Sequence, residues 1–350
     1  MKLVVIPGDG IGPETVSVAV SVLQAATKKI DVPLSLTYDL AGMASYEKHG
    51  TTVRPGLTDL IRDADGLIMG PTTTHAAVEG EPKQPSPSGV VRKELDLYAN
   101  IRPARTYEGM PTRSQPFDLV IVRENTEGFY ADRNMVQGNA EIQVTDDVVV
   151  SMRRITRKCC FRIAKKAFEL AMTRRKKVTI VHKANVLSLG DGMFMDACHE
   201  VAKSYPEVSV DAVIVDAMMA LAIRNPERFD VIVTTNMFGD ILSDLTAELA
   251  GSLGMAASLN AGDDHAMAQA AHGSAPDLAG LDVANPLSQV SSVAMLMRWY
   301  AHKTQQAQYE QIGNLMETAV TQVIANGQVT RDIGGNLGTQ AVGDALLNCL

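Results

Sequence analysis

Short apolar runs alternate with helical patterns from the start of the chain. Apolar runs of about four to eight residues predict strands, and apolar positions three or four apart predict amphipathic helices. The pattern predicts a strand at residues 2–6, a helix from Pro13 to about Lys29, a strand near 34–38, a helix near 56–62 and a strand at 66–70. Alternation of this kind is typical of an α/β fold.

The rest of the chain continues the alternation. A polar loop at residues 71–89 is long enough to be functional, and residues 131–150 predict an exposed two-stranded arm on which a partner chain could pair. Further strands are predicted at 118–122, 176–181, 213–215 and 229–233. Further helices are predicted at 90–98, 151–173, 245–250, 285–302 and 306–326. Two more helices are predicted at one end only: one follows a turn at 190–192 and ends at Lys203, and the other begins at 217.

Composition and charge narrow the class of protein. The chain has 350 residues, 46% hydrophobic and 21% charged, which is enough for two globular domains. Its net charge of −8 argues against sequence-independent binding of nucleic acid. Cys159, Cys160, Cys198 and Cys349 lack metal-ligand or redox spacing, so we expect them to be reduced. No leader precedes the first strand and no apolar run reaches the about 18 residues of a membrane span, so a cytoplasmic protein without a membrane partner is expected.

Acidic residues follow two predicted strands. Asp240 and Asp244 stand four residues apart, which places both carboxylates on one helical face near the N-terminus of the helix. Asp216 follows another apolar run. A solvated helix face capped by Ser243 or Asp240 would account for the pair. A hard cation, Mg²⁺ or Mn²⁺, at the carboxyl edge of a sheet would account for all three acids.

Basic residues stand at predicted element boundaries. Arg92, Arg102 and Arg123 are each at such a boundary. One boundary arginine usually pairs with a carboxylate of the fold, whereas three near a group of acids favour recognition of a polycarboxylate, which guanidinium groups bind bidentately. Lys183 follows a predicted strand and is either a surface charge or a base whose pKa a pocket lowers.

Two glycine-rich segments are candidates for a nucleotide site. In residues 7–14 the spacing is Gly-x-Gly-x-Gly followed by Pro13, which differs from the Gly-x-Gly-x-x-Gly fingerprint of dinucleotide binding, and Asp39 is only a loose candidate for the ribose-binding acid. The segment at 251–280 is rich in small residues, and such backbone can approach a ligand closely.

Taken together, these motifs resemble the β-decarboxylating dehydrogenases, the family of isocitrate, homoisocitrate, 3-isopropylmalate and tartrate/D-malate dehydrogenases. The resemblance covers essentially the whole chain, and its markers in order are residues 7–14, 95–103, 123–130, 182–185, 236–244 and 272–286. It implies metal-assisted oxidation of a 2-hydroxy acid by a nicotinamide cofactor, followed by loss of the β-carboxylate as CO₂.

The resemblance implies a two-domain isocitrate/isopropylmalate dehydrogenase-like α/β fold with a doubly wound mixed sheet. Residues 1–98 and 253–350 would form a discontinuous nucleotide-binding domain, and residues 99–252 a dimerisation and metal-site domain. The cleft would lie between the two domains. A homodimer is expected, because Lys183 and Asp216 would act in the site of the neighbouring subunit.

The resemblance also implies a role for each matching residue. Asp240 and Asp244 of one subunit and Asp216 of the other resemble the Mg²⁺ or Mn²⁺ ligands. Lys183 resembles the group that assists deprotonation of the hydroxyl, and Tyr130 the acid that reprotonates the enol. The substrate contacts would be Ser86, Ser88, Arg92, Arg102, Arg123 and Asn185, the last of which could also contact nicotinamide. The cofactor contacts would be Ile11, Thr73, Thr74, His272, Gly273, Ser274, Ala275, Asp277, Leu278 and Asn285.

Asp277 favours NAD over NADP. It falls where the adenine ribose binds in this family, and a carboxylate accepts hydrogen bonds from a free 2′-hydroxyl but repels a 2′-phosphate. Family members that use NADP have Lys and Tyr in place of Asp277 and Leu278. By the same resemblance, the glycines of residues 7–14 would not form the usual dinucleotide fingerprint.

The substrate is predicted from the polar loop. Isopropylmalate enzymes have leucines where this chain has Ser88 and Gly89, and a polar wall with Ser86 and Lys83 suits a carboxylate or hydroxyl substituent. The loop is longer than in typical isocitrate enzymes and lacks their Ser-x-Asn pair. The expected order is isocitrate or homoisocitrate first, tartrate or D-malate next, and isopropylmalate last. Because the catalytic and metal residues are all present, an enzyme is favoured over a non-catalytic regulatory subunit.

Overall fold

The computed structural model describes residues 1–73, 84–130 and 140–350. In this part of the chain ten strands form one mixed sheet and two form a separate hairpin. In chain order the strands are β1 (Lys2–Ile6), β2 (Ser35–Tyr38), β3 (Gly66–Met69), β4 (Ala99–Arg105), β5 (Asp118–Glu124), β6 (Glu141–Thr145), β7 (Val148–Ser151), β8 (Lys177–His182), β9 (Ser209–Ile214), β10 (Val231–Thr234), β11 (Leu259–Ala261) and β12 (Ala266–Ala268).

Helices connect most of these strands. They are α1 (Gly12–Ile30), α2 (Met43–His49), α3 (Leu57–Arg62), α4 (Pro87–Glu94), α5 (Arg157–Met172), α6 (Gly190–Ala202), α7 (Val215–Arg224), α8 (Asn236–Ala250), α9 (Leu287–Thr304), α10 (Ala307–Ala325) and α11 (Thr339–Asn348). Among the described residues, no helix combines the length and the apolarity that a bilayer span requires.

The main sheet has the strand order β2-β1-β3-β12-β11-β4-β5-β10-β8-β9. The first four strands are mutually parallel, and so are the last four. Three antiparallel pairs separate these groups, so the two groups run in opposite directions. The carboxyl ends of each group lie along one edge, and the loops that follow such ends are where α/β folds bind ligands.

Helices cover both faces of the sheet. In β1, Leu3 and Val5 belong to a core that α1, α9, α10 and α11 complete, whereas Val4 and Ile6 pack on the opposite face with α3 and α4. In the other group, Ile180 packs towards α5 and α6, and its neighbour Val181 towards α7 and α8. Successive strand residues point to opposite faces, which is why these strands are apolar throughout. The predicted doubly wound mixed sheet is confirmed, while the domain boundaries at 98 and 253 stay a prediction.

Several elements differ from the sequence pattern. Helix α4 begins at Pro87 rather than at 90, because Ser86 caps it and proline suits the first helical turn. Helix α5 begins at Arg157 rather than at 151, where Thr156 caps it. Helix α8 begins at Asn236 rather than at 245, and the predicted turn at 190–192 is the first turn of α6. Strands β11 and β12 and helix α11 were not predicted, because their short or small-residue segments show no clear period.

The predicted two-stranded arm is present. Strands β6 and β7 pair antiparallel and form a sheet of their own. Every residue of both strands is exposed, including Ile142, Val144, Val148, Val149 and Val150. The start of the predicted arm, residues 131–139, lies outside the described residues.

Candidate active site

A cavity of about 140 Å³ brings predicted substrate and cofactor residues together. Ser88 and Arg92 reach it from α4, Arg102 from β4, and His272 and Gly273 from the loop after β12. These residues come from three separate parts of the chain, so their convergence is a property of the fold. Pro71, Thr72, Ser258, Gln269, Ala270 and Ala271 complete the lining.

Arg102 connects this cavity to the acidic pair. It is 7% exposed, and its Nη1 atom lies 3.1 Å from Oδ1 of Asp240 and 3.5 Å from Oδ1 of Asp244. Its Nε donates to Oδ1 of Asn100 at 2.6 Å, and Nη1 also donates to Oγ of Ser243 at 2.7 Å. Asn100 is two residues before Arg102 on β4, hence on the same face of the strand. The guanidinium is thus fixed between the cavity and the predicted metal ligands.

Arg123 lies behind Asp240 and is almost fully buried. Its side chain is 2% exposed and forms an ion pair with Asp240. Nε and Nη2 both donate to Oδ1 of Asn236, at 3.1 and 2.6 Å. Asn236, the first residue of α8, therefore aligns Arg123 with the acid that follows it on the helix. This contact was not predicted from the sequence, although Asn236 begins the motif that carries the acids.

Asp240 and Asp244 fit a divalent cation better than a helix cap. The N-cap of α8 is Thr235 and makes no side-chain cap hydrogen bond, while Ser243 donates to the carbonyl of Asp240 at 2.8 Å, so the capping interpretation is wrong. Partial burial raises the pKa of Asp244, and the charge of Asp240 adds to the rise against the opposite effect of Arg102. Two partly exposed carboxylates that repel each other on one helical face are suitable hard-oxygen ligands.

Asp216 and Lys183 form a second, separate pair. Nζ of Lys183 donates to Oδ1 of Asp216 at 2.6 Å, and these hydrogen bonds hold the pKa of Asp216 below its usual range. Asp216 follows β9, two strands from β10, which corresponds to about 10 Å across a sheet. Among the described residues, no group of three His, Cys, Asp or Glu side chains is placed to hold a metal. The predicted third ligand therefore does not join Asp240 and Asp244 within one chain.

The glycines of residues 7–14 support the late loop by close packing. Ile11 N donates to Ser274 O at 2.9 Å. A Cβ on Gly10, whose φ is 59°, would lie 1.9 Å from the same oxygen, so only glycine fits there. The hydroxyl of Thr73 donates to Oγ of Ser274 at 3.0 Å. Ile11, Thr73 and Ser274 therefore lie together, whereas Thr74 is outside the described residues.

His272 presents a polar atom without a partner. Its Nδ1 lies 3.0 Å from Gly273 O, while Nε2 is buried and has no hydrogen-bond partner among the described residues. Burial lowers the pKa of His272, so the ring is neutral near pH 7. Because a buried polar atom is normally hydrogen-bonded, this nitrogen beside the cavity fits contact with a bound group such as a nucleotide.

The remaining cofactor candidates differ in their solvent exposure and in the hydrogen bonds that their side chains make within the fold. Ala275 is partly buried, and Asp277 and Leu278 are exposed in the turn that follows it. Asn285 is 7% exposed; its Nδ2 donates to Asp332 at 3.0 Å and its Oδ1 accepts from Leu287 N at 3.0 Å. The side chain of Asn285 therefore serves the start of α9, and its predicted cofactor contact stays a prediction.

The other substrate and catalytic candidates lie around the cavity or on exposed loops. Oγ of Ser86 accepts from Gly89 N at 3.4 Å as the cap of α4, whereas Ser88 lines the cavity. Asn185 is exposed in the loop after β8, and Tyr130 is partly buried at the end of the turn that follows β5. Lys83 lies outside the described residues.

Several polar residues near the site were not singled out from the sequence. Gln269 lines the cavity, accepts from Nη2 of Arg92 at 3.4 Å and donates to Gly70 O at 3.0 Å. Glu124 and Glu127 belong to the family motif but are buried and structural: Glu124 accepts from the amides of Thr126 and Glu127 at 2.9 and 2.8 Å. Sequence pattern cannot separate motif residues that hold the turn from those that contact a ligand.

A larger cavity, about 250 Å³, lies elsewhere between the central strands and helices α5, α8, α9 and α10. Its charged side chains pair with one another. Arg105 and Arg298 both pair with Glu317, and Arg174 lies 2.8 Å from Asp118. These charged groups already form ion pairs within the fold, so the cavity of about 140 Å³ is the better candidate for the active site.

Comparison with known proteins identifies the family of this chain. A family model described as isocitrate/isopropylmalate dehydrogenase matches residues 2–346. The chain is 39% identical over 350 residues to the 3-isopropylmalate dehydrogenase of Archaeoglobus fulgidus, covering 100% of this chain and 99% of the relative. It is also 39% identical over 353 residues to the isocitrate/homoisocitrate dehydrogenase of Thermus thermophilus, covering 100% and 98%.

A solved structure gives the same result for the fold. The crystal structure of isocitrate dehydrogenase from Methylococcus capsulatus has a TM-score of 0.88 and 40% identity to this chain, covering 99% of it and 98% of the solved chain. The resemblance found in the motifs and the predicted fold are both confirmed. The chain therefore belongs to the isocitrate/isopropylmalate dehydrogenase family and is a dehydrogenase.

Proposed function

We propose that this enzyme oxidises and decarboxylates a 3-substituted malate with NAD and Mg²⁺ or Mn²⁺, and that isocitrate or homoisocitrate is the preferred kind of substrate. The main observation that supports the proposal is the cavity of about 140 Å³. Arg92, Arg102 and His272 all line it, and Nη1 of Arg102 lies 3.1 and 3.5 Å from the carboxylates of Asp240 and Asp244. The cavity therefore combines two guanidinium groups with an imidazole, and Arg102 connects it to the adjacent acidic pair.

The arginines would bind the carboxylates of the substrate. Arg102 lines the cavity, and Asn100 and Ser243 hold its Nε and Nη1 atoms. A guanidinium that the fold already orients loses little freedom on binding a carboxylate. Arg92 would contribute a second guanidinium from α4. We assign the buried Arg123 mainly to supplying positive charge behind Asp240.

Asp240 and Asp244 would hold the cation together with the partner subunit's Asp216. When bound there, a divalent cation supplies Lewis-acid polarisation of the substrate's oxygen. The amine of the partner subunit's Lys183 would accept the hydroxyl proton while the C2 hydride leaves to nicotinamide. After the bond from C3 to the carboxylate breaks and CO₂ departs, Tyr130 would donate a proton to C3 of the enol.

Exposed apolar side chains support the assignment of these residues to a homodimer. Val186 and Leu189, close to Lys183 in sequence, are 68% and 88% exposed. Ile241, next to Asp240 on α8, is 55% exposed, and Ile223 on α7 is 57% exposed. Clustered exposed apolar residues commonly mark a protein interface. In the proposed homodimer, a second copy would cover these side chains and bring Lys183 and Asp216 to the other chain's acids.

The choice of NAD rests on Asp277. Its carboxylate is exposed in the turn after His272 and can accept hydrogen bonds from a free ribose 2′-hydroxyl. The carboxylate would repel a 2′-phosphate by charge.

The choice of substrate rests on the polar wall. Ser88 lines the cavity where an isopropyl group would need an apolar surface. The two relatives at 39% identity are named for isopropylmalate and for isocitrate or homoisocitrate, so overall identity does not decide between these substrates.

Activity measurements test the proposal. The purified enzyme is assayed with NAD and Mn²⁺ on isocitrate, homoisocitrate, D-malate or tartrate, and 3-isopropylmalate, with NADH and CO₂ both quantified. We expect equal amounts of NADH and CO₂ and the highest kcat/KM for isocitrate or homoisocitrate. Isopropylmalate as the best substrate would contradict the polar-wall argument. NADH without CO₂ and full turnover after exhaustive chelation would point instead to a metal-independent 2-hydroxy-acid dehydrogenase.

A further inference from the structure

A buried carboxylate lies directly beneath Lys183. Asp191, in the first turn of α6, is 0% exposed. Its Oδ2 accepts from the backbone N of Lys183 at 2.5 Å, and its Oδ1 pairs with Nη2 of Arg153 at 2.5 Å. No role in the reaction has so far been assigned to Asp191. A buried carboxylate is costly unless it is paired, so both oxygens are held by definite partners.

The hydrogen bond to Lys183 closes a small loop. From Lys183 the chain turns through Leu187, whose N donates to Lys183 O at 2.8 Å. The N of Asp191 then donates to Leu187 O at 2.9 Å, and its side chain returns to Lys183. A further bond runs from Ala184 N to Nδ1 of His182 at 3.1 Å. The backbone of Lys183 is therefore fixed at the point where β8 ends.

Arg153 extends this contact to the other catalytic elements. Its Nη2 also donates to Oγ1 of Thr235, the N-cap of α8, at 3.3 Å. Its guanidinium lies 5.7 Å from the ring of Phe129 and 5.8 Å from that of Phe238. Phe129 precedes Tyr130, and Phe238 lies on α8 just before Asp240. The ion pair of Asp191 with Arg153 thus joins the Lys183 loop to the Tyr130 turn and the acid-bearing helix.

We propose that Asp191 is a positioning residue that sets the location of Lys183 for catalysis. The proposal rests on the proposed function, in which Lys183 takes part in the reaction. The ammonium of Lys183 extends from a Cα whose position depends on the bond to Asp191, and Asp216 holds only the far end of the side chain. Without the bond, the loop from 183 to 187 keeps its backbone contact to α6 through Leu187 O but loses the side-chain anchor at Lys183, while the cavity residues stay in place.

The test compares Asp191→Asn with Asp230→Asn. Asp230 is also 0% exposed and pairs with an arginine, Arg174, at 2.8 Å, and it accepts from a backbone N, that of Arg175, at 2.8 Å. Asp230 lies just before β10, at the end of that strand opposite to α8. Asparagine keeps one acceptor oxygen, so each substitution removes the ion pair and leaves either the backbone N–H or the arginine without its acceptor, in one case beside Lys183 and in the other remote from the site.

We expect Asp191→Asn to lower kcat by roughly 10- to 100-fold, because a displacement of about 1 Å in a catalytic group has effects of this size. The KM values for substrate and NAD should stay within about twofold, since the binding residues do not contact Asp191. Asp230→Asn should leave kcat within about twofold at a similar loss of Tm. Equal effects of the two variants on kcat would overturn the proposal.

A double variant that combines Asp191→Asn with Lys183→Ala shows whether Asp191 acts through Lys183 or whether its replacement disturbs the enzyme in general. If Asp191 acts through Lys183, the double variant should have the same kcat as Lys183→Ala alone. If the losses of kcat caused by the two substitutions multiply in the double variant, the proposal is contradicted. If Asp191→Asn does not fold, Arg153→Lys replaces it in the comparison with Lys183→Ala. We expect Arg153→Lys to lower kcat as well, but by a smaller factor.

The two possible failures can be told apart. Full activity of Lys183→Ala would refute the proposed function and the positioning role with it. An inactive Lys183→Ala together with a fully active, folded Asp191→Asn would refute only the positioning role.

Discussion

At the scale of single residues, charged side chains near the cavity serve the fold and the proposed chemistry together. Arg102 and Arg123 bracket Asp240 and are 7% and 2% exposed. The sequence identified these residues by predicted element boundaries and by the family resemblance, but the boundary prediction is wrong for Arg102, which lies in the middle of β4. It could not show that Asn100 and Asn236 hold the two guanidinium groups, because those contacts depend on how β4 and α8 pack.

The cofactor preference is testable at two positions. Replacing Asp277 by Lys and Leu278 by Tyr should raise the NADP/NAD ratio of kcat/KM by about tenfold or more, because the carboxylate is removed and a cation is placed near a 2′-phosphate. The ratio is measured by initial rates with both cofactors. Asp344→Lys, at an exposed position of α11, serves as the control and should leave the ratio unchanged. An unchanged ratio in the double variant would refute the assignment.

The cysteines should differ in reactivity. Burial raises the pKa of Cys160 to about 12 and raises the pKa of Cys159 and Cys198, so these thiols remain protonated at pH 8, and the thiolate is the reactive form. Cys349 is partly exposed near the C-terminus. Titration of the native enzyme with DTNB should show one fast thiol, which Cys349→Ser removes, and four thiols in denaturant. Rapid reaction of three or four thiols in the native state would contradict this expectation.

At the scale of elements, helix α8 carries the proposed metal chemistry. Asp240→Asn and Asp244→Asn should each lower kcat/KM by roughly 100-fold or more and raise the Mn²⁺ concentration needed for half-maximal rate, because each removes a charged oxygen ligand. Asp344→Asn is the matched control on a remote helix. Rates are measured across a Mn²⁺ titration. Wild-type rates for both variants would eliminate α8 as the metal site.

The same helix shows what pattern can and cannot predict. The spacing of Asp240 and Asp244 predicted a shared helical face, but the pattern began the helix at 245, after both acids, instead of at Asn236. Gly239 interrupts the local preference for helix, yet a Cβ there would lie 2.7 Å from the side chain of Arg123. Tertiary packing requires glycine at this position and overrides local propensity. The three-residue strands β11 and β12 were missed because they are stabilised by their neighbours rather than by their own pattern.

At the scale of the whole molecule, alternating strands and helices predicted the fold class but not the strand order. The antiparallel pair of β4 with β11 joins Ala99 to Ala261, and no local pattern reports a pairing between segments so distant in the chain. This pairing makes the sheet continuous between the two parallel groups, so the loops proposed to bind the nucleotide and the acidic helix α8 are attached to the same sheet. The family resemblance implied that Asp216 acts in the site of the neighbouring subunit, and among the described residues Asp216 does lie apart from Asp240 and Asp244.

A heterodimer of two inactive variants tests most directly whether one complete site requires two chains. Lys183→Ala and Asp240→Asn, each with a different tag, are coexpressed, and the mixed dimer is isolated by both tags. If the site is shared, one of its two sites contains Asp240 from one chain and Lys183 from the other, so the heterodimer should have about half the wild-type activity, while both variant homodimers stay inactive. A heterodimer as inactive as the homodimers would contradict the account.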